Sequence, residues 1–163
     1  MNRSFDYIHF TTLMDFAQDD KNILEDHMNA LMIAPCGMNC ALCIGHIREK
    51  NRCEGCNGND QSKPQSCRTC TIVVCEKRKE TDSGFCYDCS TYPCTRMKNL
   101  DKRYRTKYGM SMFENLEFIK ENGIDAFLKH EEESWACQEC GKMLSVHRKE
   151  CLSCGWKRPF YNN

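Results

Sequence analysis

"ACQECGKMLSVHRKECLSCGWKR", residues 136–158, shows how this chain is held together. It carries two Cys-x-x-Cys pairs, Cys137/Cys140 and Cys151/Cys154, separated by ten residues and each followed by a glycine, Gly141 and Gly155. Glycine after the second cysteine lets the turn enter positive φ, so that backbone N–H groups can face sulfur. Four thiolates complete the tetrahedral shell of a zinc ion. A site closed by four protein ligands is structural, because a catalytic one keeps a position open. Leu144 and Val146, two apart between the pairs, predict a β-hairpin that carries both turns to one ion, a zinc ribbon. His147 lies between the pairs, and with four thiolates at hand it reads as a surface histidine.

Working outward, the same chemistry dominates the chain. Fifteen of 163 residues are cysteine, close to the roughly 8–10% that marks a cysteine-scaffolded protein. Such a chain is stapled either by disulfides outside the cell or by metals in a reducing compartment. The opening residues carry early acids and no unbroken apolar stretch, which is unlike a signal peptide. No run approaches the roughly 18 apolar residues of a membrane span. An odd cysteine count also leaves one thiol over in a disulfide scheme. Metal sites in the cytoplasm, without membrane association, are the expectation.

Residues 32–95 hold eleven cysteines, and few other apolar side chains lie between Cys36 and Cys94. Such a segment buries too little surface to offset its ordering entropy. Its pairs are Cys40/Cys43, Cys53/Cys56, Cys67/Cys70 and Cys86/Cys89, with Cys36, Cys75 and Cys94 in surplus. Sequential pairing gives one site of Cys40, Cys43, Cys53 and Cys56 and another of Cys67, Cys70, Cys86 and Cys89; a cross-braced alternation is the other solution. "CRTCTIVVCEKRK" from Cys67 and "CYDCSTYPCTRMK" from Cys86 are two copies of one unit, Cys-x2-Cys-x4-Cys followed by basic residues. That duplication favours sequential pairing, as copies sharing an ion. The three surplus thiols could instead gather as an open or additional metal site, closed by His46, or serve as buried thiols. In all, about three zinc ions are expected, with more if the surplus thiols take one. Iron–sulfur ligation is the less favoured alternative, because Cys-x-x-Cys followed by Gly or Asn-Gly is more typical of zinc knuckles. Cys36, Cys40 and Cys43 have the spacing of a radical-enzyme cluster motif, but that chemistry needs a large barrel for which 163 residues leave no room.

Residues 96–135 read as helical. "KNLDKRYRTKYG" stops at Gly109, Ser111 with Glu114 forms a capping box, and Asn122-Gly123 ends a second helix. Phe113, Leu116 and Ile119, then Ile124, Phe127 and Leu128, supply the apolar stripes. "HEEES", residues 130–134, reads as a solvated helix end. Residues 1–31 are acidic and free of cysteine, an extension with a short helix near Asp19–Leu31.

Net charge is zero, yet residues 36–109 hold fourteen basic and eight acidic side chains. A zinc ion with four thiolates carries −2, so Lys77, Arg78, Lys79, Arg96 and Lys98 can be there to neutralise sulfur. The rival reading is nucleic-acid contact through residues 98–108, where Lys98, Lys102, Arg103, Arg105 and Lys107 interleave with Tyr104 and Tyr108.

"MIAPCGMNCALC", "RCEGC", "SCRTCTIVVC" and "FCYDCSTYPC" together resemble an uncharacterised prokaryotic, cysteine-rich domain-of-unknown-function family. Members start near Cys-Gly-x-x-Cys-x-x-Cys and close with Cys-x-x-Cys-x-x-x-Pro-Cys; longer ones add a helical tail and a zinc ribbon. The resemblance covers roughly residues 32–158. It implies a metal-binding, zinc-type cytosolic protein and no established reaction.

The expectation is therefore a small zinc-stapled α+β protein. An acidic extension (1–31) precedes a multi-zinc module (32–95), a helical connector (96–135), a β-hairpin zinc ribbon (136–158) and a tail (159–163). Its role is expected to be that of a non-enzymatic interaction module with a protein partner. A metal- or redox-handling protein or enzyme, and a nucleic-acid binder, are the alternatives.

Overall fold

The computed structural model describes residues 28–159. The acidic extension, apart from its last four residues, and the helix expected near Asp19–Leu31, apart from its end, lie outside the described residues. Six α-helices occur among the described residues: α1 (Ile44–Ile47), α2 (Gln65–Arg68), α3 (Glu76–Lys79), α4 (Thr95–Tyr108), α5 (Met112–Asn122) and α6 (Ile124–Ser134). Short 3-10 turns at Ala30–Met32, Cys40–Leu42, Asp60–Ser62 and Cys86–Asp88 fill the cysteine-rich part. None of the helices is long and apolar enough to cross a membrane.

The three long helices form because caps and stripes agree. Helix α4 ends where Gly109 turns left-handed at φ 65° and returns its N–H to the Arg105 and Tyr104 carbonyls. Ser111 then caps α5, its hydroxyl accepting the Glu114 N–H at 3.2 Å. Gly123, at φ 85°, ends α5 and starts α6 without a linker. Met112, Leu116, Ile119 and Phe127 are fully covered. Two carboxylates are covered as well. Asp101 accepts from the Ser111 hydroxyl at 2.9 Å and the Phe113 N–H at 3.2 Å, and pairs with Arg105 at 2.7 Å, which pins α4 to the start of α5. Glu131, 4% exposed, belongs to the segment expected to be a solvated helix end. It stands on the same face as Ile124, Phe127 and Leu128, and accepts from Trp135 Nε1 at 3.2 Å and Asn39 Nδ2 at 3.3 Å.

The cysteine-rich segment is laid directly on these helices. Gly37 has φ 83°, and a Cβ there would meet Leu116 Cγ at 2.9 Å and the Met112 carbonyl at 3.0 Å. Asn115 donates to the Gly37 carbonyl at 2.9 Å. One apolar cluster runs through all parts: Met32, Ala41 and Leu42 from the cysteine-rich segment, Met97, Met112 and Leu116 from the helices, and Trp135, Leu144 and Val146 from the C-terminal unit.

The expected β-hairpin is not formed. Among the described residues there is no strand, only the isolated bridges Ile33–Asn39, Ala136–Met143 and Glu150–Lys157. The reason is competition for the backbone between the two cysteine pairs. Leu144 N–H goes to the Trp135 carbonyl at 2.8 Å as part of the Ala136–Met143 bridge, and pairing ends there, because Val146 N–H and the Ser145 hydroxyl both go to the Leu42 carbonyl, at 2.9 and 3.1 Å. Leu144 and Val146 are buried as their alternation suggested, but against the rest of the molecule. The protein is mostly helical rather than α+β.

Candidate metal centre

Each C-terminal pair folds as a self-contained knuckle. Cys137 N–H donates to the Lys142 carbonyl at 2.9 Å and Gly141 N–H returns to the Cys137 carbonyl at 2.8 Å. The second copy repeats this: Cys151 N–H to Trp156 at 2.7 Å, Gly155 N–H to Cys151 at 3.0 Å. Gly141 at φ 70° and Gly155 at φ 77° make both turns possible. The four sulfurs of Cys137, Cys140, Cys151 and Cys154 all lie within 4.8 Å of one another. Cys137 Sγ is 3.6 Å from Cys154 Sγ, and Cys140 Sγ is 3.7 Å from Cys151 Sγ. A tetrahedron with Zn–S bonds of about 2.3 Å has S···S edges of about 3.8 Å, whereas a disulfide needs about 2.05 Å. The donor set therefore fits a single thiophilic ion, for which these four residues would be the ligands. The Cys154 backbone N–H beside Cys151 brings that thiol down to about 7, while Cys154, despite the Trp156 N–H beside it, is pushed up to about 12 by burial and the other three sulfurs.

The C-terminal unit, called the ribbon for its two knuckles although no strand occurs among its described residues, is docked by aromatic and polar contacts. Arg158 lies 3.8 Å over the Trp135 ring. His147 is half-buried rather than a surface residue: it accepts the Ile44 N–H at Nδ1 (3.4 Å), meets the Tyr104 hydroxyl through Nε2 (3.2 Å), and packs edge-on against Tyr104 and Tyr108. Burial lowers its pKa, which keeps it neutral. The two tyrosines that alternate with cations along α4 thus face the ribbon, while Lys98, Lys102, Arg103 and Lys107 are exposed.

The eleven upstream cysteines are all free thiols. Cys40 and Cys56 hydrogen-bond each other. This contact raises the first and lowers the second to about 7, helped by the charge of buried Lys63. Cys43 and Cys53 flank Gly45, and Cys67 lies within electrostatic reach of Cys56, Cys53 and Cys43. Cys36 is buried, which raises its thiol, and Cys56, Cys86 and Cys70 add their charges. Cys75, Cys86, Cys89 and Cys94 line one cavity together. His46 is engaged elsewhere. Arg52 can only donate, so His46 Nε2 accepts from it at 2.8 Å, and Nδ1 carries the proton given to the Cys53 carbonyl at 2.7 Å.

Of the basic residues expected to offset thiolate charge, Arg78 lies against the cysteines, lining the Cys86 cavity; burial and the charge of Cys94 push the Cys86 thiol up to about 12, and Arg78 opposes them in part. Arg96 lines that cavity too but is itself exposed, as are Lys77, Lys79 and Lys98. Lys63 was not singled out from sequence; its nearness to Cys56 comes from the fold, and no spacing signals it.

Residues 32–99 match the model of a family described as "Protein of unknown function (DUF3795)". No curated protein and no solved structure matches the chain. The match spans all eleven upstream cysteines and ends within α4, before the two C-terminal knuckles.

Proposed function

Starting from a chain whose residues 32–99 carry the segment of an uncharacterised cysteine-rich family, we propose that the protein is a zinc-stapled cytosolic interaction module, with a structural zinc ion held by Cys137, Cys140, Cys151 and Cys154. The observation that carries this reading is the convergence of four sulfurs at tetrahedral spacing in two matching knuckles. With every position filled by protein, the ion serves folding: zinc in such sites contributes about 10–16 kcal/mol of apparent binding energy. The ribbon it shapes covers Leu42 and Tyr104, so the ion holds the C-terminal unit onto the family segment.

The test is cobalt substitution of the full chain. A tetrahedral four-thiolate spectrum that does not respond to added azide or imidazole is the expected result. A spectrum that shifts with either would reveal an open position and sink the structural assignment.

A further inference from the structure

Cys75, Cys86, Cys89 and Cys94 form a group that sequential pairing does not produce. They line one cavity of about 30 Å³, shared with Arg78 and Thr91. That is room for about one ion or one water. The two sequence repeats meet here unequally. The second repeat gives all three of its cysteines, and the first gives only its last, Cys75.

Three features around the cavity suit bound thiolates. Cys94 is the N-cap of the fourteen-residue α4 and its side chain makes no capping bond, so its sulfur sits at the positive end of the helix. Cys89 Sγ has the Thr91 hydroxyl at 3.3 Å. Arg78 is anchored by its donation to the Val73 carbonyl at 2.7 Å, while its buried Nε has no hydrogen-bond partner among the described residues. A buried N–H without an acceptor is costly, and thiolate sulfur is the acceptor that metal loading would create. Arg78 also offsets part of the −2 charge that one divalent ion and four thiolates would carry.

We propose that Cys75, Cys86, Cys89 and Cys94 are a second metal centre, taking one zinc-class ion, with Arg78 as its charge-compensating neighbour. Loading releases the thiol protons and draws the sulfurs inward. Among the described residues the ribbon sulfurs are the only set of three or more ligand residues whose ligand atoms already lie within 4.8 Å of one another. This centre therefore needs rearrangement that the ribbon does not, and its ion leaves first.

The experiment uses zinc-loaded full-length protein, with metal analysis and mass-spectrometric mapping of thiol alkylation during titration with a chelator. The expected result is that Cys75, Cys86, Cys89 and Cys94 become reactive together as one zinc equivalent is lost, before the ribbon cysteines do. Cys89→Ser should lower zinc by one equivalent and leave Cys137, Cys140, Cys151 and Cys154 protected. Arg78→Met should keep the ion but speed its release several-fold. Alkylation of the four at a rate independent of zinc would overturn the proposal, as would unchanged zinc in Cys89→Ser, or iron with labile sulfide in its place. Loss of protection at the ribbon alone would instead break the structural assignment of Cys137, Cys140, Cys151 and Cys154, so the two failures are told apart.

Discussion

In residues 136–158 each cysteine pair is closed by its own backbone: N–H of the first cysteine to the carbonyl five residues on, glycine N–H back to that cysteine. In residues 36–94 the cysteines sit in unlike settings. Cys40 opens a 3-10 turn, Cys43 caps α1 with its sulfur accepting the Gly45 N–H at 3.4 Å, and Cys75 and Cys94 are N-cap residues of α3 and α4 whose side chains make no capping bond. The first arrangement depends on neighbours in sequence. The second depends on which helices the segment is laid against. The same side chain is thus a local staple in one place and a tertiary one in the other.

Metal removal should show the largest difference between them. If the knuckles hold the proposed ion, stripping it forfeits a term of about 10 kcal/mol, so a chelator should abolish the near-ultraviolet signal of Trp135 and Trp156 and the cooperative thermal transition. Persistence of that transition without metal would mean that the apolar cluster alone holds the ribbon.

Glycine substitutions separate the regions next. Gly37→Ala combines left-handed strain with a Cβ 2.9 Å from Leu116 and should cost about 2–4 kcal/mol in denaturant unfolding. Gly141→Ala has the strain but nothing within 4 Å of the new Cβ, so about 1–2 kcal/mol is expected. Equal losses would show that the close approach of Gly37 to α5 carries no cost.

An effect of comparable size, but dependent on pH, is expected at Glu131, which joins the regions through Asn39 and Trp135. Burial raises its pKa from 4.5 to about 7, partly offset by those hydrogen bonds and by Arg158. The folded state therefore keeps a proton that the unfolded state gives up. Stability from this group is present below about 4.5 and is lost as pH rises through about 7, by an amount on the order of 2–3 kcal/mol. Comparing wild type with Glu131→Gln between pH 5.5 and 8 isolates it, and parallel profiles would refute the sign. The smallest effect belongs to exposed α4 cations: Lys102→Ala should change stability by less than about 0.5 kcal/mol.

What could be read from sequence follows the same division. The convergence of the four C-terminal sulfurs was legible because spacing and glycines sit side by side, and Gly109, Ser111 and Gly123 marked helix ends by local chemistry. The hairpin stops at a single bridge because the Val146 N–H and the Ser145 hydroxyl are claimed by the Leu42 carbonyl, a partner no alternation pattern names. Glu131 was taken as solvated on its charge, although its place on the Ile124–Phe127 stripe held the contrary signal. Asp101, four residues from both Met97 and Arg105, was hidden in the same way. The grouping of Cys75 with Cys86, Cys89 and Cys94 had no signal in spacing, because it breaks the symmetry of the repeat that carries it.

The Leu42 carbonyl, shared by Val146 and Ser145, has a consequence for the order of assembly. The ribbon sulfurs meet across only 11 and 17 residues, whereas the Ser145–Leu42 bond joins positions 103 residues apart. Short loops close at lower entropic cost and earlier than long ones. The knuckles should therefore capture their ion as an independent unit, and the chain should reach its folded form only when that finished unit lands on the turn between Cys40 and Cys43.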